Sequence, residues 1–146
     1  MVKAKLRAFL LCMMAACVLF NGCRNKQDQI LEAKLRARIN EFYACLSNEE
    51  YDKAWLMLSP EQRENIWQKE TWVNMQKSIL GMPRLKLESI EIKKIRLARN
   101  GEKLGALANI MLYVKIIENA NTRVEKIPWQ EGWTFKNGEW YRMEGD

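Results

Sequence analysis

The chain has 146 residues, 48% of them hydrophobic, with no histidine and a formal net charge of +6. That is one domain's worth of chain, long enough to bury a core without crosslinks. The missing histidine removes the commonest general base and the commonest zinc ligand together.

Lys3, Lys5 and Arg7 precede an uncharged apolar run from Ala8 to Phe20, which ends at Asn21-Gly22-Cys23. A basic head, a short apolar run and a small residue before a cut describe a secretory signal. A membrane-spanning helix needs about 20 apolar residues, and this run is shorter. The stretch resembles a bacterial lipoprotein signal. That resemblance implies cleavage before Cys23, diacylglycerol on its sulfur, and a domain held outside the cytoplasm in the bacterial cell envelope. The lipid bilayer is then the first partner, reached through acylated Cys23. Met14-Ala15-Ala16-Cys17 is a second candidate for the same processing. On the first reading, residues 1–22 are signal, 23–28 the lipidated N-terminus and a short tether, and 29–146 a single domain. Two or more acyl chains are what stable anchoring requires. Removing the signal lowers the charge to +3, from 21 basic and 18 acidic residues, so neither charge nor compartment supports a nucleic-acid partner.

Of four cysteines only Cys45 falls in the expected domain, so no disulfide is expected within one mature chain. Beside Phe42 and Leu46, Cys45 reads as a small core hydrophobe.

Leu31, Leu35, Ile39, Phe42 and Leu46 recur at helical spacing and predict a helix over Gln27–Leu46. Ser47-Asn48-Glu49-Glu50 reads as a capping box opening a second helix to about Leu58, with Tyr51, Ala54, Trp55 and Leu58 buried. Ser59-Pro60-Glu61-Gln62 repeats the device with proline at the first helical position. A third helical region runs towards Leu80, with a break expected near Lys69–Thr71, and Gly81-Met82-Pro83 ends it.

The pattern then changes to alternation. Leu85/Leu87 and Ile90/Ile92 alternate, but parity slips at Ser89 and again between Ile92 and Ile95, which predicts a bulged, bent strand. Asn100-Gly101 predicts a hairpin turn. Leu104–Ile117 reads as the longest strand, with Leu104, Ala106, Ala108, Ile110, Leu112, Val114 and Ile116 on one face. Asn119–Thr122 turns the chain into Arg123–Phe135, and Asn137-Gly138 turns it into Glu139–Met143. The fold class expected is α+β, N-terminal helices packed on a curved antiparallel sheet.

Two stretches carry a family resemblance: Tyr51–Glu61 (YDKAWLMLSPE) and Trp129–Tyr141 (WQEGWTFKNGEWY). With the helices-first order they resemble the nuclear transport factor 2-like superfamily, a cone-shaped roll shared with ketosteroid isomerase. The resemblance implies a pocket at the open end of the cone. Tyr43, Tyr113 and Trp129 are its candidate lining residues, and Asn109 its candidate polar contact. Enzymes of the superfamily place an Asp or His base there with a Tyr or acidic donor. No catalytic residue of this chain matches that pattern, and no metal or cofactor is expected. Glu118 and Glu125, the nearest strand carboxylates, flank a turn and read as solvated. A basic strip of Lys93, Lys94, Arg96, Arg99 and Lys103 reads as an ordinary solvated face with edge lysines. Leu107, Met111, Tyr113 and Ile117 make the opposite face of the long strand apolar too, and a strand apolar on both faces is covered on both. A homodimer through this outer sheet face is the simplest cover.

The function expected is a membrane-anchored envelope module that binds a small apolar ligand or another envelope protein. The alternative is a small pocket enzyme of the ketosteroid-isomerase or dehydratase type. A buried carboxylate or tyrosine pair inside the cone is what separates them.

Overall fold

The computed structural model describes residues 26–65, 69–80, 82–118 and 121–144. The signal, both lipid-site candidates Cys23 and Cys17, the Gly81 cap and the turn tip at 119–120 lie outside the described residues. The contacts of the chain divide it after Ala33, and Lys34 onward forms one unit with its own core.

The first helix, α1, covers residues 26–47. From Lys34 on, its stripe of Leu35, Ile39, Phe42 and Leu46 is buried, and Cys45 is buried beside it as a free thiol. α2 (Tyr51–Leu56), α3 (Pro60–Asn65) and α4 (Lys69–Leu80) follow. The buried face of α2 is the expected one, with Tyr51, Ala54 and Trp55 inside and Leu58 just beyond.

The first capping box does not form. α1 ends with Glu50 N–H donating to Cys45 O at 2.8 Å, across Glu49 at φ 60°. Glu50 becomes the N-cap of α2 with no side-chain cap bond. Its carboxylate accepts from Lys53 Nζ at 2.7 Å instead, a partner one turn on. The second device does form. Ser59 Oγ accepts from Gln62 N–H at 3.3 Å and donates to Gln62 Oε1 at 3.2 Å. The region expected to break near Lys69–Thr71 is described as two helices, α3 and α4, but Lys69–Thr71 are the first residues of α4, and 66–68 lie outside the described residues.

Four antiparallel strands follow in the order β1-β2-β3-β4: Leu85–Asn100, Lys103–Glu118, Asn121–Lys136 and Glu139–Met143. The first three are equally long at 16 residues, so β2 is not the longest. The first turn is centred on Gly101-Glu102, one residue later than the Asn-Gly pair suggests, with Asn100 opposite Lys103 and Gly101 at φ 60°. The last has Asn137 at φ 51° and Gly138 at φ 86°, the pairing that a two-residue hairpin turn demands.

Both parity slips are bulges. The β1–β2 register shifts between Leu87 and Ser89 and between Ile92 and Lys94. Each extra residue returns the next apolar side chain to the same face. Leu85, Leu87, Ile90, Ile92, Ile95 and Leu97 are all buried or half-buried, while the residues between them are exposed. On β2 the inner face is set by Ala106, Ala108 and Ile110, all buried. Their partners on β3 are Trp133, Glu131 and Trp129. The two alanines are small where the partners opposite are large. Phe42 of α1 meets Trp133 edge-on, ring centroids 6.2 Å apart, and Trp55 of α2 meets Trp72 of α4 at 5.6 Å.

The free side of β4 is closed by the α2–α3 connection. Arg142 N–H donates to Met57 O at 2.8 Å, and Ser59 N–H donates to Arg142 O at 3.0 Å. β3 outlasts β4: Gly132–Lys136 pair with it, and 121–131 pair with β2 alone. Residues 121–130 are exposed along their whole length.

Candidate functional site

Alternation on β3 puts Trp129, Glu131, Trp133 and Phe135 on the inner face, and pairing with β4 adds Trp140 and Arg142 to it. A glutamate among tryptophans must be paired or pay the desolvation of a bare charge. Glu131, 5% exposed, has both oxygens engaged by three donors. Its Oε1 accepts from Trp133 Nε1 at 2.9 Å. Its Oε2 accepts from Tyr43 Oη at 3.0 Å and from Arg142 Nε at 2.9 Å. Arg142 also donates to Glu144 Oε1, which accepts from Trp72 Nε1 at 3.3 Å. The Glu144 backbone is clamped by Gln62, which donates to its O at 2.8 Å and accepts from its N–H at 2.9 Å. The Arg142 guanidinium lies 5.0 Å over the Phe42 ring. One buried network thus joins α1, α3, α4 and the β3–β4 hairpin.

Burial pulls the Arg142 guanidinium down, but the charges of Glu131 and Glu144 outweigh it and hold it above its usual range. Burial, and then the negative charge of Glu131, push the Tyr43 phenol far above its usual range. Tyr43 is therefore a fixed donor. Its proton stays on oxygen.

Beside Tyr43 lies a cavity of about 270 Å³, whose lining includes Asn40, Tyr43, Ser47, Leu87, Ser89 and Ile90. The inner sheet face runs on from Ile90 through the row Ile90–Leu112–Ile127, and the next row is Ile92–Ile110–Trp129. At its β3 end this apolar wall is bare: Ile127 is 39% and Trp129 46% exposed.

The four residues expected to line one pocket divide between two faces. Tyr43 lines the cavity, and Trp129 belongs to the inner face by its pairing with the buried Ile110. Asn109 and Tyr113 occupy the opposite parity of β2. There Asn109 Oδ1 accepts from Gln130 Nε2 at 2.8 Å, and Tyr113 Oη donates to Glu91 Oε2 at 2.9 Å beneath Lys126. The same outer face exposes Leu107 and Ile117, separated by these polar contacts. In the basic strip, Lys93 pairs with Glu91 at 2.6 Å. Glu118 and Glu125 flank their turn, paired with Arg123 at 3.7 and 3.0 Å.

Sequence reasoning missed Glu131, Arg142 and Glu144. The signal was parity: Glu131 falls between two tryptophans of the buried register, and Arg142 is two residues from Trp140 on the strand that pairs with it.

No protein family and no curated protein matches the chain by sequence. Solved structures match by shape. The hub homology domain of a CaMKII from Chlamydomonas reinhardtii is 15% identical, with a TM-score of 0.52 over 77% of this chain and 93% of that one. A SEC-C motif-containing protein from Rhodopseudomonas palustris is 12% identical, with a TM-score of 0.54 over 75% of each chain. A nuclear transport factor 2-like protein of unknown function in nutrient uptake from Rhodospirillum rubrum is 15% identical, with a TM-score of 0.44 over 78% of this chain and 90% of that one. What the chain shares with the first two is a fold alone, helices followed by a four-stranded antiparallel open sheet.

Proposed function

We propose that the chain is a lipid-anchored envelope protein whose α+β domain is a non-catalytic module that holds an apolar ligand against the bare end of its inner sheet face. The observation that carries the ligand reading is Trp129. It is 46% exposed although its register puts it on the core face, opposite Ile110, which is 2% exposed. An apolar wall left uncovered at one end, beside a cavity with a few polar groups, is the usual make-up of a small-molecule site. The anchor reading rests on Lys3, Lys5 and Arg7, the apolar run and Gly22-Cys23.

The pocket-enzyme reading has the buried Tyr43–Glu131 pair in its favour. The hydrogen bonds on both oxygens weigh against it. Glu131 has three donors on its two oxygens, and its Tyr43 partner is pushed away from acid–base work at neutral pH. A general base needs an oxygen free to reach the substrate proton.

The test is native mass spectrometry of the chain extracted gently from membranes. A retained apolar small molecule, lost in Trp129→Ala, supports the reading. Identical ligand content in wild type and Trp129→Ala overturns the site, and an empty wild type overturns the ligand. Cys23→Ser tests the anchor separately: the protein should leave the detergent phase or remain unprocessed, and unchanged lipid partitioning rejects Cys23.

A further inference from the structure

Part of β3 forms a long bare edge of the sheet. β4 and residues 57–59 close the hairpin end, but along residues 121–131 no strand pairs with β3 on the side away from β2 among the described residues. An exposed, unbulged strand edge is a template for another strand. Pro128 marks which way that edge points. Proline has no N–H to give a ladder, so a strand tolerates it where the backbone nitrogen faces outward. Pro128 pairs with Met111, and Val124, of the same parity, pairs with Lys115 in an unbroken register. The N–H groups of Thr122, Val124 and Lys126 therefore point outward with it.

We propose that residues 121–127 of β3 pair antiparallel with the same residues of a second copy, on a two-fold axis at Val124. Charge selects this register. An axis at residue 124 sets Arg123 opposite Glu125 of the other chain, twice over, with Thr122 opposite Lys126 and Val124 opposite itself. Moving the axis to 123, 125 or 126 sets Arg123, Glu125 or Lys126 against its own copy, and like charges directly opposite are destabilising. Arg123 and Glu125 already lie on one face, joined at 3.0 Å, so each chain presents the two halves of the pair side by side. The paired stretch stops at Pro128, the first position unable to donate, four residues before β4 begins to pair at Gly132. The contact is isologous, which closes on itself.

Cysteine crosslinking of the full chain in native membranes tests this, with the wild type, which carries Cys45 and the N-terminal cysteines, as background. Directly opposite Cβ atoms lie about 5 Å apart. Val124→Cys with a short bismaleimide should give a band at twice the monomer mass. Thr122→Cys alone should not, whereas Thr122→Cys with Lys126→Cys should. Glu125→Arg should abolish the Val124→Cys product at least tenfold, and adding Arg123→Glu should restore it. Equal crosslinking at 122 and 124, no product at 124, or a product of another mass each overturns the proposal. A dimer that survives Val124→Pro in detergent, by sedimentation, assigns the contact to another surface such as the outer sheet face.

Discussion

Glu131 and Arg142 are eleven residues apart in sequence and diagonal neighbours across the β3–β4 hairpin, with Arg142 Nε 2.9 Å from Glu131 Oε2 and both side chains nearly sealed from solvent. Such a pair is not evidence of high stability, because desolvation offsets most of the attraction. Losing one partner is a different matter.

Glu131→Gln keeps the shape and removes the charge, leaving Arg142 with Glu144 alone. The expected cost is about 3–5 kcal/mol, a large share of a domain stability of about 5–15 kcal/mol. Glu131→Gln combined with Arg142→Met should cost less than the two single changes added together, since neither charge is then left alone. Urea midpoints measure both. An unchanged midpoint for Glu131→Gln means the network is not buried as described.

Tyr43 gives the protein an alkaline weakness. Its folded-state pKa is raised by burial and by Glu131. Stability from this group is complete below the ordinary tyrosine value of about 10, and it falls as pH rises beyond that, because only the unfolded chain releases the proton. Tyr43→Phe should flatten the fall in melting temperature above pH 10 while lowering stability at neutral pH by about 1.5–3 kcal/mol, the range for a bond to a charged group. Equal alkaline slopes in the two proteins would remove Tyr43 as the cause.

Trp55, 6% exposed and packed on the fully buried Trp72, ties α2 to α4. Trp55→Ala should cost about 3–5 kcal/mol. A chain as resistant to urea as wild type would place that helix face in water.

Gly138→Ala should cost about 1–2 kcal/mol, because the turn needs φ 86° there and a Cβ crowds the left-handed region. No heavy atom outside its chain neighbours lies within 4 Å of the added carbon, so the cost is conformational. Substitution at the neighbouring exposed Glu139 is the comparison, and an equal effect there would refute the turn argument.

The fold was legible because it rests on patterns that the backbone reads locally. The stripe of α1, the buried face of α2, the Ser59–Gln62 cap, the two slips in β1 and the Asn137-Gly138 turn each follow from periodicity or turn chemistry over a few residues. The site was less so. Tyr43, Trp129, Asn109 and Tyr113 were grouped by residue type as pocket lining, although the parity of β2 already set Tyr113 with Leu107 on the outer face, and its register sends Asn109 there too. Besides Trp133 two residues on, Glu131 finds its partners on α1 and β4, 88 and 11 residues away, distances at which periodicity carries no information. The failed Ser47 box has the opposite cause: a local rule lost to another local partner, Lys53.

The two bulges of β1 bear on how large the protein can grow. A strand approaching that edge meets a broken register twice between Leu87 and Lys94, with Lys93 and Lys94 at the second break. Such an edge is a poor seed for addition. Polymerisation through sheets needs two competent ends, one to join and one to be joined. The breaks confine any addition on the β1 side to Lys94–Asn100, where the register with β2 runs unbroken, so the two edges of this sheet are unequal ends for growth.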